Sequence, residues 1–193
     1  MGKSKKRAGF GKSVIAVVLL GVCVAFAFAF VGSFIIDRIM YPYSYREIIE
    51  SEAEAFGVDP LLVAAVIREE SKFAPASESH QGAKGLMQIM PSTGQYIAER
   101  LGDVNYREED LFDPETSIRY GTWYLAELHR NFDNNTALVA AAYNGGRGHV
   151  QEWIDSGRID PDNVRVEDIP FAETRLFVER VLGSYEKYKE IYG

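Results

Sequence analysis

The sequence DPLLVAAVIREESKF, from Asp59 to Phe73, begins with an Asp–Pro pair and contains two adjacent glutamates near its end. Aspartate is a favoured cap at a helix N-terminus, and proline is well tolerated at the first helical position after it. The run from Leu61 onward is apolar until the charged residues near its end, which include Glu69 and Glu70. Because burying an unpaired charge is costly, two carboxylates beside apolar neighbours require an explanation.

Helical spacing does not decide which of the two glutamates has a special role. Glu70 follows Ile67 by three residues and Val66 by four, and Glu69 stands in the same relation to Val66 and Ala65. Neighbouring side chains on a helix point about 100° apart, so the two carboxylates cannot share one role. Either both belong to a solvated helix end, or one of them is placed for chemistry.

Helix signals continue along almost all of the remaining chain. The Asp–Pro start recurs at Asp113–Pro114, and Gly57 and Gly102 are placed to end two of the helices. Four of the predicted helices start at or next to Ser44, Asn135, His149 and Pro170. The predicted segments are 44–56, 59–71, 91–101, 113–132, 135–145, 149–155 and 171–192. Few runs alternate with period two, so the sequence predicts one all-α, mainly helical domain over residues 44–193.

The first 36 residues differ in composition from the rest. Residues 1–12 contain five lysines or arginines and no acid, and residues 13–36 contain no charged side chain. A helix of that length would reach about 35 Å, enough to cross a hydrocarbon core of about 30 Å. Since basic segments stay in the cytoplasm, we predict a basic cytoplasmic tail at 1–12, a transmembrane anchor at 13–36 and a short connector at 37–43. A cleaved signal peptide is the alternative, but its apolar region is usually shorter.

The charge balance limits what the exported part of the chain can bind. The formal net charge of the whole chain is −7. The first 36 residues contribute five positive charges and no negative one, so residues 37–193 carry −12 with the histidines neutral. An acidic domain of this kind is a poor candidate for nucleic-acid binding, which depends on neutralising phosphates. We therefore expect it to recognise its ligand by shape and hydrogen bonds.

Three further stretches could line a cleft, although each has an ordinary structural explanation. Residues 82–91 read GAKGLMQIMP, where the glycines allow close backbone approach and Gln88 supplies a donor and an acceptor. A buried turn packed by methionines would use the same residues. The sequence AYN at 142–144 precedes a glycine-terminated helix end, and ETR at 173–175 lies where a helix dipole favours a carboxylate.

Together and in this order, the motifs are more specific than any one of them. Glu70-Ser71 with Pro75 behind it, GAKGLMQIMP, AYN and ETR make the sequence resemble the lytic transglycosylases with a soluble-lytic-transglycosylase-type domain, which are related to goose-type lysozyme. The resemblance covers residues 44–193 and implies a lysozyme-like domain with a groove for the glycan strand of peptidoglycan. With the predicted anchor, it implies a single-pass protein of the bacterial cell membrane, its N-terminus cytoplasmic and its catalytic domain extracytoplasmic.

The resemblance also implies roles for individual residues. It favours Glu70, rather than Glu69, as the single catalytic acid. Glu173 matches a groove carboxylate that orients the site rather than reacting. The residues that match the substrate groove are Ser79, Gln88, Met90, Tyr143 and Asn144. The sequence departs from the family pattern at Ala74, where asparagine is usual, and at Phe177, where tyrosine is frequent.

The implied activity is cleavage of the β-1,4 bond after N-acetylmuramic acid, with formation of a 1,6-anhydromuramic end. One carboxyl acts first as acid and then as base, whereas ordinary glycosidases use two carboxylates. Glu70 must therefore be neutral before the reaction, and burial among apolar residues would raise its pKa. No cofactor is needed, and the three histidines are too far apart in sequence to predict a metal site. The alternatives are a hydrolytic muramidase, with Glu173 or Glu78 as second acid, and a weakly catalytic anchor that binds the cell wall.

Overall fold

The computed structural model falls into two units, residues 1–42 and residues 43–193. The residues that it describes are 35–193 together with Gly21, Phe26 and Gly32. The predicted tail at 1–12 and most of the predicted anchor at 13–36 lie outside these residues. Within the part of the chain that the structure describes, no helix is long and apolar enough to cross a membrane.

Residues 43–193, all of which are described, form a mainly helical domain. Its elements are α1 (Arg46–Phe56), α2 (Pro60–Ser71), α3 (Pro91–Leu101), the 3₁₀ helix η1 (Glu108–Phe112), α4 (Pro114–Asn131), α5 (Thr136–Gly145), α6 (Arg147–Asp155), the 3₁₀ helix η2 (Val166–Asp168) and α7 (Ala172–Tyr192). In this unit β pairing is limited to isolated bridges that join Lys84 to Glu78 and to Ile89. The prediction of an all-α domain is confirmed.

Side-chain caps start three of the helices where the sequence predicted them. The Asp59 carboxylate accepts a hydrogen bond from the Leu61 amide at 2.8 Å, and Pro60 occupies the first position of α2. Asp113 caps α4 and Asn135 caps α5 in the same manner. Each cap satisfies backbone N–H groups that have no partner within the helix, and such caps are worth about 1 kcal/mol.

The start of α1 differs from the prediction that Ser44 caps it. The helix begins at Arg46, and Tyr45 occupies the cap position in a left-handed conformation (φ 57°) without a side-chain cap. Immediately before it, the Tyr43 ring packs on the rings of Tyr188 and Tyr192, with centroids 6.1 and 5.2 Å apart. Packing of the Tyr43 ring against α7 therefore accompanies the start of α1, where no side-chain cap is formed.

Two other predicted starts are displaced by a few residues. Gly146 (φ 89°) both ends α5 and precedes α6, so α6 begins directly afterwards at Arg147 and not at His149. The last helix begins at Ala172, with Phe171 in an extended conformation at its cap position. Because one glycine ends α5 and precedes α6, no separate linker joins the two helices. Start and stop signals, which are read for one helix at a time, do not reveal this arrangement.

Helix α2 lies in the centre of the domain. Every residue from Leu62 to Ile67 is buried, and the helix packs most extensively against α7. Helix α5 also packs on α7, and α1 packs on α4. A helix that is apolar around its whole circumference is stable only when neighbours surround it. This packing fixes the last turn of α2, which contains both glutamates, directly against α7.

Candidate active site

Glu69, in the last turn of α2, is held as a charged group. Its side chain is only 2% exposed and forms ion pairs with Arg68 and with Lys72, the latter at 3.1 Å. The Ser184 hydroxyl of α7 donates to Glu69 Oε1 at 2.6 Å. Burial alone would raise the pKa of Glu69, but hydrogen bonds from Ser184 and Lys72 and the charges of Lys72 and Arg68 lower it below its ordinary value. Glu69 is therefore an ionised structural residue.

The neighbouring Glu70 lies in the opposite environment. Burial raises the pKa of its carboxyl from the ordinary value of 4.5 to about 8. The positive charge of Arg180 opposes this increase, and the negative charges of Glu69 and Glu173 add to it. A carboxyl with such a pKa is largely protonated at neutral pH, and a raised pKa of this kind identifies a candidate general acid. The two glutamates that helical spacing left equivalent are thus distinguished by their surroundings.

Both charged residues of α7 that act on Glu70 lie on the same face of that helix. Glu173 and Arg180 are seven residues apart, a spacing that brings side chains to one side of a helix. Both are exposed, so water screens their effects, and burial remains the main cause of the raised pKa of Glu70. Glu173 was predicted as a groove residue, whereas no sequence signal singled out Arg180.

Ser71 ties the end of α2 to the turn that follows the bridge at Lys84. This serine is buried, and its hydroxyl donates to the Leu86 carbonyl at 2.7 Å and lies 3.2 Å from the Ile67 carbonyl. The bond to Leu86 joins segments fifteen residues apart. The serine directly after Glu70 therefore holds the acid's helix end against one wall of the site.

Replacing Ser71 with alanine is expected to lower the free energy of unfolding by about 1–2 kcal/mol, because the buried Leu86 carbonyl loses its donor. The control is Ser156→Ala, which removes an exposed serine whose hydroxyl bonds only the Trp153 carbonyl at 3.2 Å and should change stability by less than about 0.5 kcal/mol. Urea unfolding of both variants measures the difference. Equal stabilities would contradict the positioning role of Ser71.

The turn after Lys84 depends on a glycine at Gly85. Its φ of +76° is strained for any residue with a side chain, and an added Cβ would lie 1.8 Å from the Leu111 carbonyl oxygen. Lys84 is itself buried and forms an ion pair with Glu108 of η1 at 2.8 Å. The turn is therefore packed closely against η1, and this fixes the position of the residues that follow.

Gln88 occupies this turn with a strained backbone and an anchored side chain. Its φ of +48° is uncommon for a residue other than glycine, and such strain concentrates at functional sites. Its Nε2 donates to the Gly85 carbonyl at 2.9 Å and to the Ser77 carbonyl at 3.1 Å. Since two carbonyls hold the amide nitrogen, the amide oxygen is turned the other way and can accept a hydrogen bond from a ligand.

Tyr143 connects the turn to the vicinity of the acid. Its hydroxyl donates to the Met87 carbonyl at 2.8 Å, and its ring lies 5.7 Å from the ring of Tyr124. Burial raises the pKa of Tyr143 well above its ordinary value, and the charges of Glu70 and Tyr124 contribute in the same direction. The phenol therefore stays protonated, and Glu70 lies near enough for its charge to act on Tyr143.

A cleft of about 230 Å³ lies beside these residues. Four of the predicted groove residues line it, namely Gln88, Met90, Tyr143 and Asn144. The remaining walls are formed by Ile89, Thr93, Tyr124, Gly145 and Gly146. Apolar, aromatic and hydrogen-bonding surfaces are thus combined in one concave site, which is the usual composition of a small-molecule or sugar site. Residues from two separate sequence motifs, GAKGLMQIMP and AYN, meet here.

The other three predicted site residues are placed differently. Glu70 and Glu173 do not line the cleft itself. The charge of Glu70 raises the pKa of Tyr143, and the charge of Glu173 raises the pKa of Glu70. The Ser79 hydroxyl accepts hydrogen bonds from the backbone amides of Gln81 and Ala83, at 3.3 and 3.0 Å. In this structure Ser79 therefore stabilises its own loop, and its O–H hydrogen is left to donate.

Sequence reasoning did not find Thr93 and Tyr124, which line the cleft. Thr93 belongs to the first turn of α3, and Tyr124 lies within the long helix α4. Aromatic and small polar residues at such positions are usually explained by packing, and no motif surrounds them. Only the tertiary fold indicates that they face the same cavity as Tyr143.

Comparisons with known proteins identify relatives of this chain. The soluble lytic murein transglycosylase of Salmonella typhimurium is 36% identical over 156 residues, which cover 79% of this chain and 24% of the relative. Membrane-bound lytic murein transglycosylase F of Desulfosudis oleivorans is 41% identical over 157 residues, which cover 76% of this chain and 33% of the relative. The chain thus spans only a quarter to a third of the length of these relatives.

A solved structure of an inactive glutamate-to-glutamine mutant of the lytic transglycosylase Slt from Pseudomonas aeruginosa has the same fold. It superposes with a TM-score of 0.73 at 35% identity and covers 79% of this chain and 25% of that one. The family model described as "Transglycosylase SLT domain" matches residues 47–165, which include Glu70, the turn at Gln88 and the cleft residues Tyr143 and Asn144. The chain therefore belongs to the transglycosylase SLT domain family.

Proposed function

We propose that the chain is a peptidoglycan lytic transglycosylase in which Glu70 is the single general acid and base. The observation that carries the proposal is a buried carboxyl with a pKa of about 8 beside a cleft lined by Gln88, Tyr143 and Asn144. Family membership supports it, as does the loss of activity in a relative when a glutamate is replaced with glutamine. The substrate bond is the β-1,4 link between N-acetylmuramic acid and N-acetylglucosamine.

The reaction needs one group that donates a proton and then accepts one. Protonated Glu70 donates to the glycosidic oxygen while the bond from that oxygen to the anomeric carbon of the muramic residue breaks. The resulting carboxylate accepts the proton of the same sugar's 6-hydroxyl, whose oxygen bonds to the anomeric carbon. The product is a 1,6-anhydromuramic end, no water is consumed, and Glu70 is protonated again. A raised pKa suits both halves of this cycle.

A hydrolytic mechanism would need a second carboxylate placed to activate water. Of the two candidates, Glu78 is exposed and lies 3.7 Å from Lys84, and Glu173 is exposed in the first turn of α7. We therefore favour the single-acid mechanism, in which Glu173 orients the site and Ser79, Gln88, Met90, Tyr143 and Asn144 contact the glycan.

Mass spectrometry of purified peptidoglycan digested by the full chain tests the proposal. Anhydro-muropeptides, one water lighter than hydrolysis products and absent with Glu70→Gln, are the expected result. Reducing-end products would instead identify a muramidase. Retained binding to peptidoglycan without any product would identify a cell-wall-binding anchor.

The pH dependence of the reaction follows from the pKa of Glu70. Because the protonated form reacts, kcat/KM is expected to be constant from about pH 5 to 7 and to fall tenfold per pH unit once the pH exceeds about 8. Initial rates of product release between pH 5 and 10 measure this profile. A fall that begins near pH 4.5, the ordinary value for a glutamate, would contradict the role given to Glu70.

We further propose that the domain acts at the membrane. The support is the uncharged run at 13–36 behind a basic segment and the similarity to a relative named as membrane-bound. In this arrangement residues 1–12 lie in the cytoplasm, 37–43 form the connector, and 44–193 face the cell wall. Fractionation of cells tests it. The full chain should remain with membranes in high salt and be released by detergent, and recovery in the salt wash would contradict an anchor.

A further inference from the structure

A second cavity of about 170 Å³ continues the cleft at the start of α3. Its walls are Ser92, Thr93, Tyr96, Tyr124 and Arg147. Thr93 and Tyr124 line both cavities, so the two are compartments of one groove. We call this second compartment the Arg147 pocket, because Arg147 supplies its single charged wall.

Two interactions hold the Arg147 guanidinium in place. Its Nη1 donates to Glu127 Oε1 at 3.1 Å, and its carbon lies 5.3 Å from the centre of the Tyr96 ring. The Tyr96 hydroxyl donates to the same Glu127 oxygen at 2.6 Å. The Glu127 side chain is only 14% exposed, so it forms a fixed support behind the arginine. A guanidinium has five N–H donors, so the bonds to Glu127 and Tyr96 leave others free to bind a ligand.

The charges around this pocket favour an anion. A second arginine, Arg100, lies 5.2 Å from the centre of the same Tyr96 ring. Arg147 is the charged residue of the pocket wall and pairs with Glu127, whereas Arg100 lies near the same ring without lining the pocket. Residues 37–193 as a whole are strongly acidic, so a cationic wall in this groove is contrary to the general charge of the domain. An orienting carboxylate behind an arginine also fixes its geometry for a two-point bond to a ligand carboxylate.

We propose that the Arg147 pocket is a specificity subsite for a carboxylate of the stem peptide on the bound glycan. The proposal rests on the proposed function, since it assumes that a glycan strand occupies the adjoining cleft. The sugar rings of such a strand are uncharged, so a fixed cation contributes little to binding them. Stem peptides carry carboxylates beside the muramic residues, and an arginine binds a carboxylate by paired, charge-assisted hydrogen bonds.

The test compares two substrates that differ in charge and hardly in size. One is glycan strands with free stem-peptide carboxylates, and the other is the same strands after conversion of those carboxylates to carboxamides. The full wild-type chain is expected to cleave the first with a kcat/KM about tenfold higher. In Arg147→Gln this ratio should fall to near one, and Arg147→Lys, which keeps the charge but not the planar fork, should give an intermediate ratio.

Arg158→Gln is the matched control, because it removes an exposed arginine beyond the end of α6. It should keep the wild-type ratio. A ratio in Arg147→Gln equal to that of the wild type would overturn the proposal. Strands stripped of stem peptides, which expose the muramic lactyl carboxylate, form a third arm. If these stripped strands are also cleaved about tenfold faster with a free carboxylate than with a carboxamide, and this preference is lost in Arg147→Gln, the stem-peptide assignment is wrong.

Binding measurements distinguish a failure of this proposal from a failure of the proposed function. The ratio of the dissociation constants for the two substrates is measured in Glu70→Gln protein with and without Arg147→Gln. This comparison needs no cleavage. If the wild type cleaves neither substrate, the proposed function fails, and the binding ratio still decides whether Arg147 selects a carboxylate. Equal affinities for both substrates would refute the subsite.

Discussion

Replacing Glu70 with glutamine should decrease glycan cleavage by about a thousandfold or more and, at the same time, make the protein more stable. The loss of rate follows because glutamine keeps the shape of the side chain but can neither donate nor accept the transferred proton. General acid or base catalysis contributes about 10²- to 10⁴-fold, and here one group performs both steps. Rates from anhydro-product formation and unfolding curves on the same samples measure the two effects.

The gain in stability follows from the raised pKa of Glu70. In the folded state its pKa is about 8, against an ordinary value of 4.5, so between these values the unfolded chain binds fewer protons than the folded one. Folding stability therefore falls as the pH rises from about 4.5 to about 8, because the buried carboxyl resists ionisation. At pH 7 glutamine should raise the free energy of unfolding by about 2–3 kcal/mol, and at pH 4 the difference should nearly vanish. A variant that is inactive but equally destabilised at both pH values would contradict this explanation.

The second large effect is expected at the adjacent residue and has the opposite sign. Replacing Glu69 with glutamine should lower the free energy of unfolding by about 3 kcal/mol, because Arg68 and Ser184 lose the carboxylate that pairs with them. The pKa of Glu69 is lowered by folding, so its contribution is present above its unfolded value and is lost as the pH falls through the folded one. The difference between wild type and variant should therefore disappear in acid.

The matched control for Glu69 is Glu186→Gln. Glu186 is an exposed glutamate of α7 that pairs with Lys189 at the surface, and such pairs contribute about 0–1 kcal/mol. Folded Glu69→Gln protein should still form anhydro products, with its alkaline limb moved to lower pH because a negative charge near Glu70 is gone. Complete inactivity of a folded Glu69→Gln variant would contradict the division of roles between the two residues.

Local rules in the sequence predicted the fold well. Aspartate and asparagine caps, glycine stops and apolar periodicity are properties of short segments, and the helices beginning after Asp59, Asp113 and Asn135 start where these rules place them. The rules failed where tertiary contacts determine the helix boundaries. Tyr43 packs on α7, and the first helix starts after Ser44 without a cap from it. One glycine, Gly146, both ends α5 and precedes α6.

The site could be predicted only in part for the same reason. The resemblance selected Glu70, but its physical distinction from Glu69 comes from the tertiary structure. Burial raises the pKa of Glu70, whereas the Ser184 hydroxyl, more than a hundred residues away in the chain, lowers that of Glu69. Motifs also led to Gln88, Met90, Tyr143 and Asn144, which line the cleft together. Tyr124 and Arg147 lie outside those motifs, and only the packing of α4 and α6 brings them to the groove.

The most direct test of this account is a titration of the two adjacent carboxyls by NMR in protein labelled with ¹³C at the glutamate side-chain carboxyl. Comparison with Glu70→Gln and Glu69→Gln assigns the two signals. We expect Glu70 to titrate near pH 8 and Glu69 to titrate below 4.5. A Glu70 signal that titrates between pH 4 and 5 would mean that the carboxyl is ionised at neutral pH, and its role as the general acid would be contradicted.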